Sequence, residues 1–181
     1  MNKLYVFSGA SGVGKSTVLS QLMEKNKALC FSVSATTRPP RPGEIEGQSY
    51  YFIDHDRFQE MIRENAFVEY DEHMGNFYGT PKFQLEEKLE KGSVLLDIEP
   101  NGALNVKAQR PDAVLIFIAP PSLEELERRL RGRGDTSEEQ IRIRQDRVRW
   151  EMEQSKQYDH IVINDQVETC VEKILAIIDG E

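Results

Sequence analysis

The chain has 181 residues, 39% of them hydrophobic and 30% charged, with a formal net charge of −8 at pH 7. That length supports one well-buried core with small excursions and excludes two independent domains of ordinary size. The acidic balance argues against a general nucleic-acid binder, and no apolar run approaches the ~18 residues of a membrane span, so a cytoplasmic protein without a nucleic-acid or membrane partner is expected. Self-association into a homo-oligomer is compatible with the sequence.

In chain order, the apolar run Leu4 to Phe7 predicts a buried strand, and from Thr17 onward apolar residues fall at helical spacing. Between them lie Gly9, Ala10, Ser11, Gly12, Val13, Gly14, Lys15 and Ser16, three glycines in six positions followed by a lysine and a hydroxyl. A strand, a glycine loop and a helix in this order turn backbone N–H groups and a helix dipole toward one point, which suits a phosphate chain. In that arrangement Lys15 reaches β- and γ-phosphates and the Ser16 hydroxyl ligates a Mg²⁺ that bridges them.

Residues 29–34 predict a second strand, after which residues 35–44, with Arg38 and Arg41 set among Pro39, Pro40, Pro42 and Gly43, are expected to form no regular element. Two arginines in a stiff loop form a clamp for a second anion, because guanidinium forks grip phosphate oxygens bidentately. A strand at 49–53 leads to Asp54 as the N-cap of a helix running to about Asn65. A short strand at 67–70 contains Glu69, and residues 75–80 form a glycine-bounded hairpin or loop. A helix over 81–91 follows, then a strand over 93–97 that delivers Asp97 to the carboxyl edge of a parallel sheet, where open α/β folds bind ligands. Residues 101–109 are expected to be helical and 113–118 to form the clearest buried strand. Ser122 with Glu125, and Ser137 with Gln140, have capping-box spacing and open two further helices, the second reaching about Gln157. A strand at 160–164 and a helix at 167–178 complete the chain. Cys30 and Cys170 are expected to be free thiols, and His55, His73 and His160 have no metal-ligand spacing.

From Arg128 to Arg149 the chain carries eight arginines against four acids, a cationic stretch in an acidic protein that suits a compact anionic ligand. Arg144 and Arg147 there lie one helical turn apart. Alternating strands and helices predict an α/β fold: a parallel sheet with helices on both faces, a mixed insertion over 35–80 and an arginine-bearing flap over 126–146. The core is then 1–34, 81–125 and 147–181. One triphosphate site, one smaller anion site and a lid make a phosphoryl-transfer layout.

These motifs resemble the guanylate kinase family. The resemblance rests on residues 9–17, 32–38, 41–44, 47–52, 75–79, 118–122, 131–134 and 162–165, in family order over nearly the whole chain. It implies an ATP-dependent transfer of phosphate to GMP or dGMP in purine nucleotide metabolism, with 35–80 as the GMP-binding region and 126–146 as the lid. It implies that residues Gly9 to Thr17 hold ATP together with Arg133 and Asn164. It further implies that Arg38, Arg41, Tyr50 and Tyr78 hold the GMP phosphate, that Ser34, Glu69 and Thr80 read guanine, and that Lys15, Arg38, Arg133, Arg144 and Asp97 serve catalysis. Guanine presents N1–H and N2–H₂ as adjacent donors that one carboxylate accepts together, whereas adenine has an acceptor at N1. Asp97 matches the first carboxylate of the family pattern Asp-Ile-Asp-x-Gln-Gly, but Glu99 stands for the second Asp and Asn101 for Gln, a departure that bears on the contacts of Asp97 and Glu99 near GMP. Another small-molecule P-loop phosphotransferase, and a non-catalytic guanylate-kinase-like module that binds phosphoproteins, are the alternatives. A readable base and an intact Lys15 and Ser16 count against them.

Overall fold

The computed structural model describes residues 2–73, 75–131 and 138–180, apart from the side chains of 127, 129–131, 138–141 and 144. In chain order the elements are β1 (Leu4–Gly9), α1 (Lys15–Lys25), β2 (Cys30–Phe31), β3 (Ala35–Thr36), β4 (Tyr51–Phe52), α2 (His55–Arg63), β5 (Phe67–His73) and β6 (Asn76–Pro81). There follow α3 (Lys82–Lys91), β7 (Val94–Asp97), α4 (Pro100–Gln109), β8 (Val114–Ala119), α5 (Leu123–Arg131), α6 (Glu138–Gln154), a 3₁₀ turn (Ser155–Gln157), β9 (His160–Ile163) and α7 (Val167–Asp179). The strands form a five-stranded sheet in the order β2-β7-β1-β8-β9 and a four-stranded sheet in the order β4-β3-β6-β5. The fold is mixed α/β, as expected, and among the described residues no helix is long and apolar enough to cross a membrane. The expected division into core, insertion and lid follows the order of elements and the arginine-rich stretch; packing groups the chain differently, into two units, Met1–Val6 with Ala28–Ala113, and Phe7–Lys27 with Val114–Glu181.

In the first unit β2 and β7 pair in parallel, and Val94, Leu95 and Leu96 are fully buried. Their continuous apolar run follows from a strand covered on both faces. Ala103 and Val106 of α4 and Leu85 of α3 are buried as well. The smaller sheet carries its own core of Ala35, Phe58, Met61 and Phe67. Phe58 stacks on Phe67 with centroids 4.4 Å apart and on Phe77 at 5.3 Å. Asp54 caps α2 as expected, its Oδ1 accepting the Arg57 N–H at 2.7 Å.

The strand expected over 29–34 is shorter and its continuation changes sheets. Ser32 N still donates to Leu95 O, but Val33 N donates to the buried Gln84 side chain, and Ala35–Thr36 then joins β6 and β4. β3 thus lies inside the stretch over 35–44 expected to be irregular, because β6 and β4 pair with it on either side, and the break begins only after Thr36. β5 runs three residues beyond the strand expected at 67–70, because the hairpin partner Asn76–Pro81 continues to pair with it as far as His73.

In the second unit β8 and β9 pair in parallel, with Leu115 to Ile118 fully buried. Val18 and Leu22 of α1 and Cys170, Val171 and Ile174 of α7 are also buried. Both cysteines are free, and burial pushes the Cys170 thiol up to about 11. Ser122 caps the helix as its spacing predicts, its Oγ accepting from Glu125 N at 3.1 Å, while the Glu125 carboxylate accepts from Arg128; Ser137 lies outside the described residues.

Candidate active site

In the second unit the glycine loop is shaped by two demands on its backbone. At Gly9 a Cβ would stand 2.9 Å from Ile118 O, so β1 leaves the sheet where only glycine fits. Gly12 and Gly14 have φ of 82° and 90°, the left-handed region that ordinary side chains disfavour. Val13 N donates to Ala10 O at 3.0 Å and Ala10 N to Ile118 O at 3.2 Å, which closes the loop on itself. Gly14 is the N-cap of α1 and brings no side-chain cap, leaving the positive end of the helix dipole uncovered by any carboxylate in its first turn. Lys15 and Ser16 open that helix, Lys15 half-buried, Ser16 and Thr17 exposed.

Two buried side chains brace the loop. Glu151, 1% exposed on α6, accepts the Ser11 N–H at 2.8 Å and the Arg147 Nε–H at 2.9 Å on its two oxygens. Asn164, 3% exposed, donates from Nδ2 to Val13 O at 2.8 Å, while its backbone N–H donates to Ala119 O at 2.8 Å. Asn164 Oδ1 is buried without a hydrogen-bond partner among the described residues. Arg133 lies outside the described residues; Arg144 is part of α6, but its side chain lies outside them.

In the first unit the proline loop holds a different chemistry. Arg38 makes a two-pronged contact with Glu44, Nη1 to Oε2 at 3.0 Å and Nη2 to Oε1 at 2.8 Å, and donates to Pro39 O at 2.7 Å. The pairing holds Glu44 below the usual carboxylate range and Arg38 above its ordinary value. Glu44 also accepts the Arg41 N–H at 2.7 Å, and the Arg41 residue is exposed. The Arg38 guanidinium lies 5.4 Å from the Tyr50 ring centroid and 5.9 Å from that of Phe52, and the Tyr50 and Tyr78 rings meet edge to face at 6.0 Å. Burial first, then the negative charge of Asp97, raises the Tyr50 hydroxyl above its ordinary value. Arg38, Tyr50 and Tyr78 are thus one cluster, with Asp97 at the end of β7 near enough for its charge to act on it.

On the hairpin, Glu69 is the cross-strand partner of Thr80, and Tyr78 lies two residues before Thr80 on β6. Side chains two apart share a face and direct partners project together, so Glu69, Thr80 and Tyr78 occupy one face of the smaller sheet. A register shift between Phe67 and Glu69 marks a bulge there, and Gln109 of α4 donates to Val68 O at 2.9 Å. Glu69 is 7% exposed, and Thr80 Oγ1 donates to its Oε1 at 2.6 Å. Burial raises the Glu69 carboxyl to about 7, against a smaller opposing effect of the Thr80 hydrogen bond. Ser34 is half-buried just before β3, and its carbonyl accepts the Tyr51 N–H. Glu99 is exposed at the N-cap of α4 and makes no side-chain cap bond.

The motif reading gives three residues of the site no role. Glu44 has a sequence signal, since a carboxylate three residues after Arg41 suits the turn in which Glu44 N donates to Arg41 O. Glu151 stands four residues after Arg147, a helical pair spacing, but nothing in the sequence tells that it reaches Ser11. Gly102 fills the glycine of the pattern that begins at Asp97, but the pattern does not tell why a glycine stands there: a Cβ would lie 2.6 Å from Glu69 Oε2. The three histidines have no shared role; the His55 ring packs on Phe77, and no group of three His, Cys, Asp or Glu able to hold a metal occurs among the described residues.

Comparison with known proteins agrees with this geometry. The family model described as guanylate kinase matches residues 1–181. The chain is 48% identical over 180 residues to a guanylate kinase of Thermus thermophilus, covering 99% of this chain and 81% of that one. It is 49% identical over 173 residues to the guanylate kinase of Trichodesmium erythraeum, covering 95% and 93%. The crystal structure of guanylate kinase from Anaplasma phagocytophilum superposes with a TM-score of 0.81 at 33% identity over 99% of this chain and 85% of that one. Matched by the family model over its whole length and by these relatives at nearly half identity, the chain belongs to the guanylate kinase family.

Proposed function

We infer that the chain phosphorylates GMP from ATP, with the glycine loop of the second unit holding the donor and residues 35–80 of the first holding the acceptor. The family membership supports the reaction. The observation that carries the choice of acceptor is the buried Glu69–Thr80 pair on the sheet face it shares with Tyr78.

On this reading Arg38, Arg41, Tyr50 and Tyr78 bind the GMP phosphate, with Glu44 fixing the plane of the Arg38 fork. Ser34, Glu69 and Thr80 read the base, and Asp97 and Glu99 supply the negative charge beside them. A phosphate oxygen of GMP attacks the γ-phosphorus of ATP; the bond from that phosphorus to the β–γ bridging oxygen breaks, and its electron pair leaves with ADP. The acceptor phosphate is already an anionic nucleophile, so no general base is required. Gly9, Ala10, Ser11, Gly12, Val13, Gly14, Ser16 and Thr17 cradle the donor's phosphates, braced by Asn164. Lys15, with Arg133 and Arg144, offsets the charge that gathers on the moving phosphoryl group, a role in which arginines contribute roughly 10³ to 10⁵ in rate.

The donor set fits Mg²⁺ carried in by the nucleotide, since Ser16 offers a single exposed hydroxyl beside the loop and such ions take most of their ligands from phosphate and water. When bound, the ion neutralises phosphate charge. The lid over 126–146 is assigned to closure on the bound nucleotides. Both substrates belong to the dissolved nucleotide pool, which fits the cytoplasmic location expected from the sequence.

A coupled assay of ADP release with ATP, Mg²⁺ and a panel of GMP, dGMP, AMP, CMP, UMP and IMP tests the reading. GMP and dGMP are expected to be phosphorylated well above the other four. Equal turnover of AMP would overturn the role given to Glu69.

A further inference from the structure

Gly102 sits in the first turn of α4, which begins at Pro100, and is buried. Its φ is not in the left-handed region, so the backbone itself does not demand a glycine. Interior helical positions favour alanine over glycine. What demands it is a neighbour: a Cβ at this position would stand 2.6 Å from Glu69 Oε2, 3.2 Å from Glu69 Cδ and 3.4 Å from Ile98 Cδ1.

The other side of the same carboxylate is also occupied, because Thr80 Oγ1 donates to Oε1 at 2.6 Å. The carboxylate is therefore held between a hydroxyl on β6 and the bare Cα of α4. One atom added at 102 would force Oε2 aside, and the Thr80 bond would turn or break with it. Because the atom met is the end of a side chain and not backbone, the fold can absorb the change while the carboxylate moves.

We propose that Gly102 is a positioning residue that sets base specificity, its missing side chain keeping open the space in which Glu69 meets the paired N1–H and N2–H₂ donors of guanine. The proposal rests on the reading of Glu69 given above. Guanine needs both carboxylate oxygens in one plane with its edge, whereas hypoxanthine, which lacks the 2-amino group, needs one. A displaced carboxylate thus loses more with GMP than with IMP.

The test is steady-state kinetics of wild type, G102A, E69D, E69Q and G102A/E69D with GMP and IMP as acceptors. G102A is expected to lower kcat/KM for GMP by about tenfold or more through KM, to lower it less for IMP, and to leave KM for ATP unchanged. Shortening the acid in G102A/E69D makes room for the new methyl group, so the double variant should exceed the product of the two single effects. Equal losses for GMP and IMP in G102A, or purely multiplicative effects in the double variant, would overturn the proposal while E69Q still lowers the GMP-to-IMP ratio. An E69Q variant that keeps the wild-type ratio would instead overturn the reading of Glu69 itself. Thermal melting of G102A separates a folding loss from these outcomes: a fall in Tm with an unchanged GMP-to-IMP ratio counts against the proposal.

Discussion

Glu69 keeps a carboxyl group where water is scarce, and burial raises it to about 7 from an ordinary value of 4.5. Between those two values the folded chain holds a proton that the unfolded chain has released, so folding is favoured by acid and loses stability as pH rises through that window, with no further loss above it. The full effect is about 3 kcal/mol at alkaline pH. Glu69→Gln removes the titration while keeping an acceptor for Thr80. Its Tm relative to wild type should therefore be higher at pH 8 than at pH 5; a difference that is the same at both would sink the assignment. Binding of GMP draws on the same equilibrium, since two donors on the base favour the charged carboxylate. Wild-type KM for GMP should fall more steeply between pH 6 and 8 than that of Glu69→Gln. At this scale the type of residue was legible, an acid among apolar neighbours in a short strand, but its burial and its contacts with Thr80 and Gly102 come from chain segments 11 and 33 residues away.

At the scale of elements, local signals were sufficient where a segment's partners lie within it. The Asp54 cap, the Ser122 cap and the apolar runs of β1, β7 and β8 needed nothing from afar. β2 and β3 are different, because the same extended stretch pairs first with β7 and then with β6, and which sheet claims each residue depends on which edge is near. Helix α6 shows the functional side of this. Its residue Glu151 is 140 positions from Ser11 yet takes a loop N–H, and Arg147 balances its charge. Removing a buried, paired carboxylate strands both donors, so Glu151→Ala should destabilise the protein by about 3 kcal/mol and lower Tm by roughly 6–12 °C. KM for ATP should rise several-fold with KM for GMP nearly unchanged. A variant with wild-type KM for ATP would show that Glu151 supports α6 alone and not the loop.

For the molecule as a whole, the glycine loop and the arginine–tyrosine cluster with Glu69 fall in different packing units, so the two nucleotides can be tested apart. A ligand at about 100 times its Kd stabilises by about 2.7 kcal/mol. Lys15→Met should keep the rise in Tm on adding GMP, lose most of the rise on adding ATP, and drop kcat below about a tenth of wild type. If GMP protection vanished as well, the donor-side assignment of Lys15 would fail. The three prolines and two arginines of residues 38–43 announced an anion clamp, yet not that Arg38 rests on Glu44 and against Tyr50. By itself the sequence determined the order of strands and helices, the glycine loop and the family, because backbone propensities, helix caps and apolar periodicity act over a few residues. Only the tertiary structure decided which oxygen of Glu69 is bonded, why position 102 carries no side chain, and that α6 braces the loop. Those contacts join residues far apart in the chain, and sterics and burial arise only once the elements have packed.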